Sequence, residues 1–525
     1  MAVTVSPEPD RAYRQRPVVH PSQSWAVQMS RDKRHRARAP AGKHPLVATT
    51  TPVSGLSRRT LPWIAVLAQS IAAVAPTGAA AVIPALVIAS AGGAGAIVAF
   101  AAAAVVIMLV SACLRPMAER MATVGGLYTY VARGLGPLVA LPTGISAIVG
   151  YAAVSMAGLV AVGTYLSHIA VAVGITDDTK TLVIIAVAIV CAALATLVMY
   201  RGIRMSARVT LLIECVSLAL LAVVLTLVAT RLRPADIQDA STAWEGSPQS
   251  LAISTVVAVS AFVGFESSTT LSGEARQPFL SVPRTLRWTP FATAAIYLVT
   301  VTVLAAALPT AHDTVRYSST PLAALVADER STLLSAALDL AIAASFFACT
   351  LASVNALVRV LFSMGREGVA PATLGRTHPR LKTPAHAIGA AMVVVTIIPM
   401  ITLSLGISPD QALRGFLTLS ACGYIGSYLA GCLAAPALLR RIGESTPGVV
   451  VLSAITSTLL FALVIIAVLV VIEEGAVVLT VYAALMGLGV VYTVVLRIWA
   501  PERLDAVGIY DETQRTDMLN TVAFR

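Results

Sequence analysis

Long apolar runs joined by short polar connectors set the pattern of this chain. Twelve runs fall at about 62–90, 95–114, 138–173, 181–200, 207–230, 251–273, 288–309, 333–358, 385–406, 412–439, 448–472 and 476–499. A helix of roughly 20 apolar residues crosses a bilayer core of about 30 Å. The pattern therefore predicts an all-α membrane protein with twelve transmembrane helices in one domain over residues 62–499.

Two of the runs are interrupted where a membrane helix should be smooth. Run 6 begins as an apolar helix from about Leu251 and then meets Gly264 and Glu266 near mid-span. Glycine in a helix interior costs about 1 kcal/mol against alanine. A carboxylate at mid-bilayer costs roughly 2.5–3.5 kcal/mol even on the lenient insertion scale. Run 1 opens with Leu61-Pro62-Trp63 and reads Ala-Val-Ala-Pro-Thr-Gly-Ala over residues 73–79. Pro76 lacks a backbone donor and clashes with the preceding turn, which predicts two half-helices joined at Ala75–Gly78; Pro84 is a second weak point. The alternative for either run is a kinked helix without unwinding. Breaks in runs 1 and 6, five runs apart, point to an inverted repeat. Its halves are 62–230 and 251–439, and the site lies where the breaks meet. Runs 11 and 12 (448–499), smooth and joined past Glu473-Glu474, are expected to be peripheral.

Composition agrees with the pattern: 57% of residues are hydrophobic and 12% charged, against about 25% charged in soluble chains. The six cysteines all lie in or beside apolar runs with no metal-ligand spacing, and read as packing residues. Of the net charge of +11, much sits in residues 1–61, which are rich in Arg, Pro and Ser and lack hydrophobic periodicity. That stretch reads as a disordered basic cytoplasmic tail drawn to anionic lipid rather than to nucleic acid, and 500–525 as a second cytoplasmic tail. Twelve spans put 31 of the 37 Lys and Arg on the side of the two tails and six on the other. Positive charge marks the cytoplasm, so both termini are expected inside the cytoplasmic membrane.

Other stretches add detail. Residues 115–136, including Gly125-Gly126-Leu127-Tyr128-Thr129-Tyr130, suit an interfacial helix closing the cytoplasmic vestibule, and residues 363–384 a basic, turn-rich loop. With Phe262-Val263-Gly264-Phe265-Glu266 followed by Glu274, Pro278, Pro283 and Arg284, and with Ser363 to Pro371, these motifs carry a resemblance. Over about residues 60–500 the chain resembles permeases of the amino acid–polyamine–organocation superfamily. The resemblance implies a leucine-transporter-like 5+5 fold with broken helices 1 and 6 and a small-molecule substrate at the breaks. One departure stands out: the family break in span 1 usually reads Gly-Ser/Ala-Gly, and here it is Pro76-Thr77-Gly78.

At such breaks, free N–H groups around Thr77, Gly78 and Ala79, with the helix dipole, can hold a carboxylate. Carbonyls near Phe262 and Val263 can accept from an ammonium. The predicted substrate site is thus Ala75, Pro76, Thr77, Gly78 and Ala79 with Phe262, Val263, Gly264, Phe265 and Glu266. Glu266 either pairs with a cationic substrate or caps the second half of span 6. Phe262 and Phe265 either gate the pocket or pack. Tyr424 and Tyr428, one turn apart, can line the same cavity. Asp339 can reach the outer vestibule and Glu214 can snorkel inward. Some proton-coupled relatives place a lysine in span 5; none stands between Lys180 and Lys382 here, which leaves Glu214 as the candidate coupling carboxylate.

The expected function is secondary transport of amino acids or related amines, with proton-coupled uptake first, exchange second, and sodium as the other ion. An enzyme or channel is disfavoured: no phosphate loop, His-Glu-x-x-His motif or selectivity-filter segment occurs, and no cofactor is expected. A major-facilitator fold would need an acidic–basic signature between spans 2 and 3, which is absent.

Overall fold

Proline opens many of the helices, because its missing N–H is no loss in a first turn. The computed structural model describes residues 55–509 apart from 173–178, 243–246, 313–314, 316–320, 328–331 and 475–476. The basic stretch up to residue 54, residues 510–525 and the side chains of Glu473 and Glu474 lie outside the described residues. In chain order the helices are α1 (Trp63–Val74), α2 (Pro76–Ala118), α3 (Leu127–Leu135), α4 (Pro137–Ala172), α5 (Lys180–Tyr200), α6 (Ile203–Ala229), α7 (Pro234–Thr242) and α8 (Pro248–Ser260). A 3-10 helix, Phe265–Leu271, follows. Then come α9 (Pro278–Ala307), α10 (Pro321–Ala327), α11 (Thr332–Arg366), α12 (Ala385–Ser404), α13 (Pro409–Arg441), α14 (Pro447–Glu474), α15 (Val477–Trp499) and α16 (Pro501–Asp505).

Among the described residues, eleven helical stretches are long and apolar enough to cross a membrane. This is a multi-pass membrane protein. The count differs from twelve because the first stretch, Trp63–Ala118, runs 56 residues and takes in both of the first two apolar runs. Inside it, Ala75 is left-handed and Gly92 is non-helical at φ 70, ψ 179. Pro84 stays within α2 without ending it. Of the segment expected to lie at the interface, residues 115–118 end α2 and 127–135 form the short, mostly buried α3; the stretch after α11 is a chain of turns, as its composition suggested. Two short helices in connectors, α7 and α10, had no apolar run to announce them.

Burial separates centre from edge. The most apolar window of α11 is 89% buried and that of α4 83%, against 22% for α14 and 11% for α15. Helix α11 packs on both α4 and α6, α13 on α4, and α9 along α2. The chain just before α1 is tied to the end of the span 6 region. Leu61 N–H donates to the Glu274 carbonyl at 2.9 Å and Arg276 N–H to the Leu61 carbonyl at 2.8 Å, forming an isolated parallel bridge. Both interrupted helices are thereby fixed together at one end.

Candidate functional site

Pro76 shapes the first break. A residue before proline is pushed out of the right-handed helical region, and Ala75 sits at φ 50, ψ 61. That ends α1 at Val74, and Pro76 takes the first position of α2. The break is one residue, narrower than the expected Ala75–Gly78: Pro76, Thr77, Gly78 and Ala79 already belong to the first turn of α2. The second break starts after Ser260. Four turn residues follow, the last of them Gly264 at φ 95, ψ −8, and Phe265 begins the 3-10 helix.

The two breaks touch. A Cβ on Gly264 would lie 2.9 Å from the Ala73 carbonyl oxygen. Between α1 and the 3-10 helix, Ser267 Oγ donates to the Gln69 carbonyl at 3.3 Å, and Ser70 Oγ to the Phe265 carbonyl. Helix α11 closes the third side. Cys349 Sγ donates to the Ala73 carbonyl at 3.2 Å, and Gly78 N–H donates to Ser345 Oγ at 3.4 Å. Ser345 Oγ in turn donates to the Glu214 carboxylate at 3.0 Å. Glu214 is buried on α6, so it does not snorkel; one serine separates it from the span 1 break.

A cavity of about 20 Å³ opens between the breaks, lined by Ala73, Val74, Ala75, Ala79, Val82, Ile83, Val154, Ser260, Val263, Phe346, Cys349 and Leu417. It has room for about one water molecule. The lining is almost wholly apolar. Of the predicted site residues, Ala75, Ala79 and Val263 line it. Phe346, from α11, covers the start of α2 so closely that a Cβ on Gly78 would stand 2.8 Å from its ring. Ala79 N–H is used by the Ala75 carbonyl at 2.8 Å, and Gly78 N–H by Ser345, so two of the three expected donors are engaged. Thr77 is buried, and its hydroxyl has no hydrogen-bond partner among the described residues.

The remaining predicted residues stand behind this cavity. Phe262 packs edge-on against Tyr297 with ring centroids 4.9 Å apart and lies 6.5 Å from Phe100, which is core packing. Phe265 lies against Tyr428 at 5.5 Å. Glu266 is fully buried and accepts from Tyr151 on α4 at 2.8 Å and from Tyr428 on α13. Tyr428 Oη also accepts from Gly264 N–H at 3.1 Å. The carboxylate thus fastens the second break to α4 and α13 through two tyrosines. Asp339 is buried as well, at 6% exposure.

Sequence reasoning missed Phe346, Cys349, Val154 and Leu417, and it missed Tyr151. Apolar residues on a membrane helix carry no mark that separates a cavity wall from a lipid face. Tyr151 is an isolated tyrosine in a long apolar run, and that polarity was the one signal available.

The profile described as amino acid permease matches residues 61–496. Over 279 residues the chain is 23% identical to the branched-chain amino acid permease BcaP of Bacillus subtilis (strain 168). That match covers 51% of this chain and 59% of the relative, so it spans less than two thirds of that protein's length. The chain belongs to the amino acid permease family and, with it, to the amino acid–polyamine–organocation superfamily.

Proposed function

We propose that the protein is a secondary transporter of amino acids with apolar side chains, acting by alternating access at the paired breaks. The observation that carries this reading is the cavity between the breaks. Backbone polar groups lie at its edge, and Val74, Val82, Ile83, Val154, Val263, Phe346 and Leu417 make its wall. A zwitterion can be held at helix ends by backbone groups, while such a wall favours an aliphatic side chain over a charged one. The Bacillus subtilis relative is named as a branched-chain amino acid permease, which agrees with that choice.

In this reading Gly92 divides the 56-residue first stretch into two crossings, giving twelve spans. Repeats 62–230 and 251–439 form the 5+5 core, 448–499 the two peripheral helices, and both termini are cytoplasmic. The structure is closed around the site, so binding requires Phe346 to leave the start of α2. Thr77 N–H, and Gly78 N–H on release from Ser345, then face the carboxylate, while Ala79 N–H stays bonded to the Ala75 carbonyl; Phe262 and Val263 present the acceptor carbonyls. Glu266 acts as the anchor of the second break rather than as a substrate ligand. Glu214, through Ser345, is the proposed proton carrier; exchange without coupling is the second reading.

The test is thermal unfolding of the purified protein in detergent against single amino acids and their decarboxylated amines. Leucine, isoleucine or valine raises the unfolding midpoint, and 3-methylbutylamine does not. The variant Gly264→Leu still inserts into membranes but shows no such rise. Stabilisation by amines or polyamines in preference to amino acids would make Glu266 a direct ligand and overturn the reading.

A further inference from the structure

A second cavity lies well away from the breaks, at the end where the chain enters α1 and α6 begins. It encloses about 460 Å³ between residues 56–60, the start of α6, the last turns of α11 and the stretch before α12. Its charge is one-sided. Glu274, its single carboxylate, is held by the buried Arg359 through Nε at 2.9 Å and Nη2 at 2.8 Å. Arg201, Arg204 and Lys382 also line it, and none of these three has an ion-pair partner among the described residues.

Two further features point the same way. The 27-residue helix α6 begins at this wall, and its cap residue, Gly202, offers no side-chain acceptor to the first N–H groups. Such an end attracts anions through its free donors and its dipole. Opposite it stands Thr383, 5% exposed, whose hydroxyl has no hydrogen-bond partner among the described residues. A Cβ on Gly202 would be 4.0 Å from Thr383 Cγ2, which places the helix start and the threonine against each other.

We propose that this cavity binds a phosphate group, held by Arg201, Arg204 and Lys382 with the start of α6 and the Thr383 hydroxyl. Three cations, a hydroxyl donor and a helix start together match an oxyanion with several charged oxygens better than a single carboxylate. The site stands apart from the transport reading and does not depend on it. A free phosphate and the headgroup of an anionic lipid share this chemistry.

The test uses the full chain in phosphatidylcholine nanodiscs, with the thermal unfolding midpoint as readout. In one arm inorganic phosphate is titrated against chloride at equal ionic strength. In the other, phosphatidylglycerol replaces part of the phosphatidylcholine. A rise in the first arm assigns a free phosphate, and a rise in the second arm alone assigns a lipid headgroup. In either case, losing the charge-assisted bonds in Arg201→Gln/Arg204→Gln/Lys382→Gln should raise the concentration needed by about tenfold or more. Thr383→Val, which keeps the shape and removes the hydroxyl, should weaken binding in the same direction. The three charged side chains are exposed, so their removal leaves the packed core in place. No rise in either arm, or an equal rise in wild type and triple variant, would overturn the proposal.

Discussion

At Gly264 two constraints coincide: a φ of 95° and a neighbouring carbonyl 2.9 Å from where a Cβ would be. An L-residue in the left-handed region costs about 1–2 kcal/mol before any clash is counted. Gly264→Ala should therefore insert normally, unfold at lower temperature and lose uptake, because Ala73 must retreat from the break. Normal uptake by that variant would contradict the contact between the breaks. The buried pair Glu274–Arg359 gives a second expectation. Arg359 is 3% exposed, and Glu274→Gln strands its charge at a cost of about 3–5 kcal/mol. Replacing both, as Glu274→Gln/Arg359→Met, should recover much of the lost thermal stability. Gly264 was visible in the sequence as an anomaly in an apolar run, and Glu274 as one of the motif residues just past its end. Their partners were not, since Ala73 and Arg359 are distant in the chain and ordinary in type.

Among the elements, the breaks were legible because proline and glycine act locally: Pro76 ends α1 wherever the fold puts it. The gap between the first two apolar runs appears in the structure only as one non-helical residue, Gly92, in place of the polar connectors that separate the other runs. The C-terminal segment after α16 was not legible at all. Gly508 and Ile509 donate their N–H groups to Glu367 Oε1, each at 2.9 Å, and Arg133 Nε donates to the Gly508 carbonyl at 2.7 Å. Tyr128 donates to the other carboxylate oxygen. Burial pushes the Glu367 carboxyl up from 4.5 to about 7, although these hydrogen bonds and Arg133 pull it down. A raised value means the docked state holds a proton that the released state gives up. Docking is thus favoured fully below about 4.5 and weakens as pH rises through about 7. Hydrogen exchange at Gly508 and Ile509, corrected for the intrinsic rate, should lose protection between pH 6 and pH 8. In Glu367→Gln that pH dependence should vanish; an unchanged profile would rule out Glu367 as its source.

On the scale of the molecule, the hydrophobic pattern and low charge content foretold an all-helical membrane protein; among its long helices α11 and α4 are the most buried and α14 and α15 the least. The apolar wall of the cavity emerges only when α2, α4, α11 and α13 are assembled, which is why the sequence pointed to the breaks but not to the proposed side-chain preference. In the proposed reading energy coupling rests on Glu214, one hydrogen bond from Ser345 and two from Gly78. Glu214→Gln should retain leucine binding and lose the acceleration of uptake by an inward proton gradient; undiminished acceleration would remove Glu214 from the mechanism. The central claim, an aliphatic amino acid held by backbone at the paired breaks, is tested most directly by uptake of radiolabelled leucine into proteoliposomes with competing compounds. The account predicts saturable uptake that isoleucine and valine compete with strongly and that 3-methylbutylamine and putrescine leave unchanged. No protein-dependent leucine uptake, or stronger competition by the amines, would contradict it.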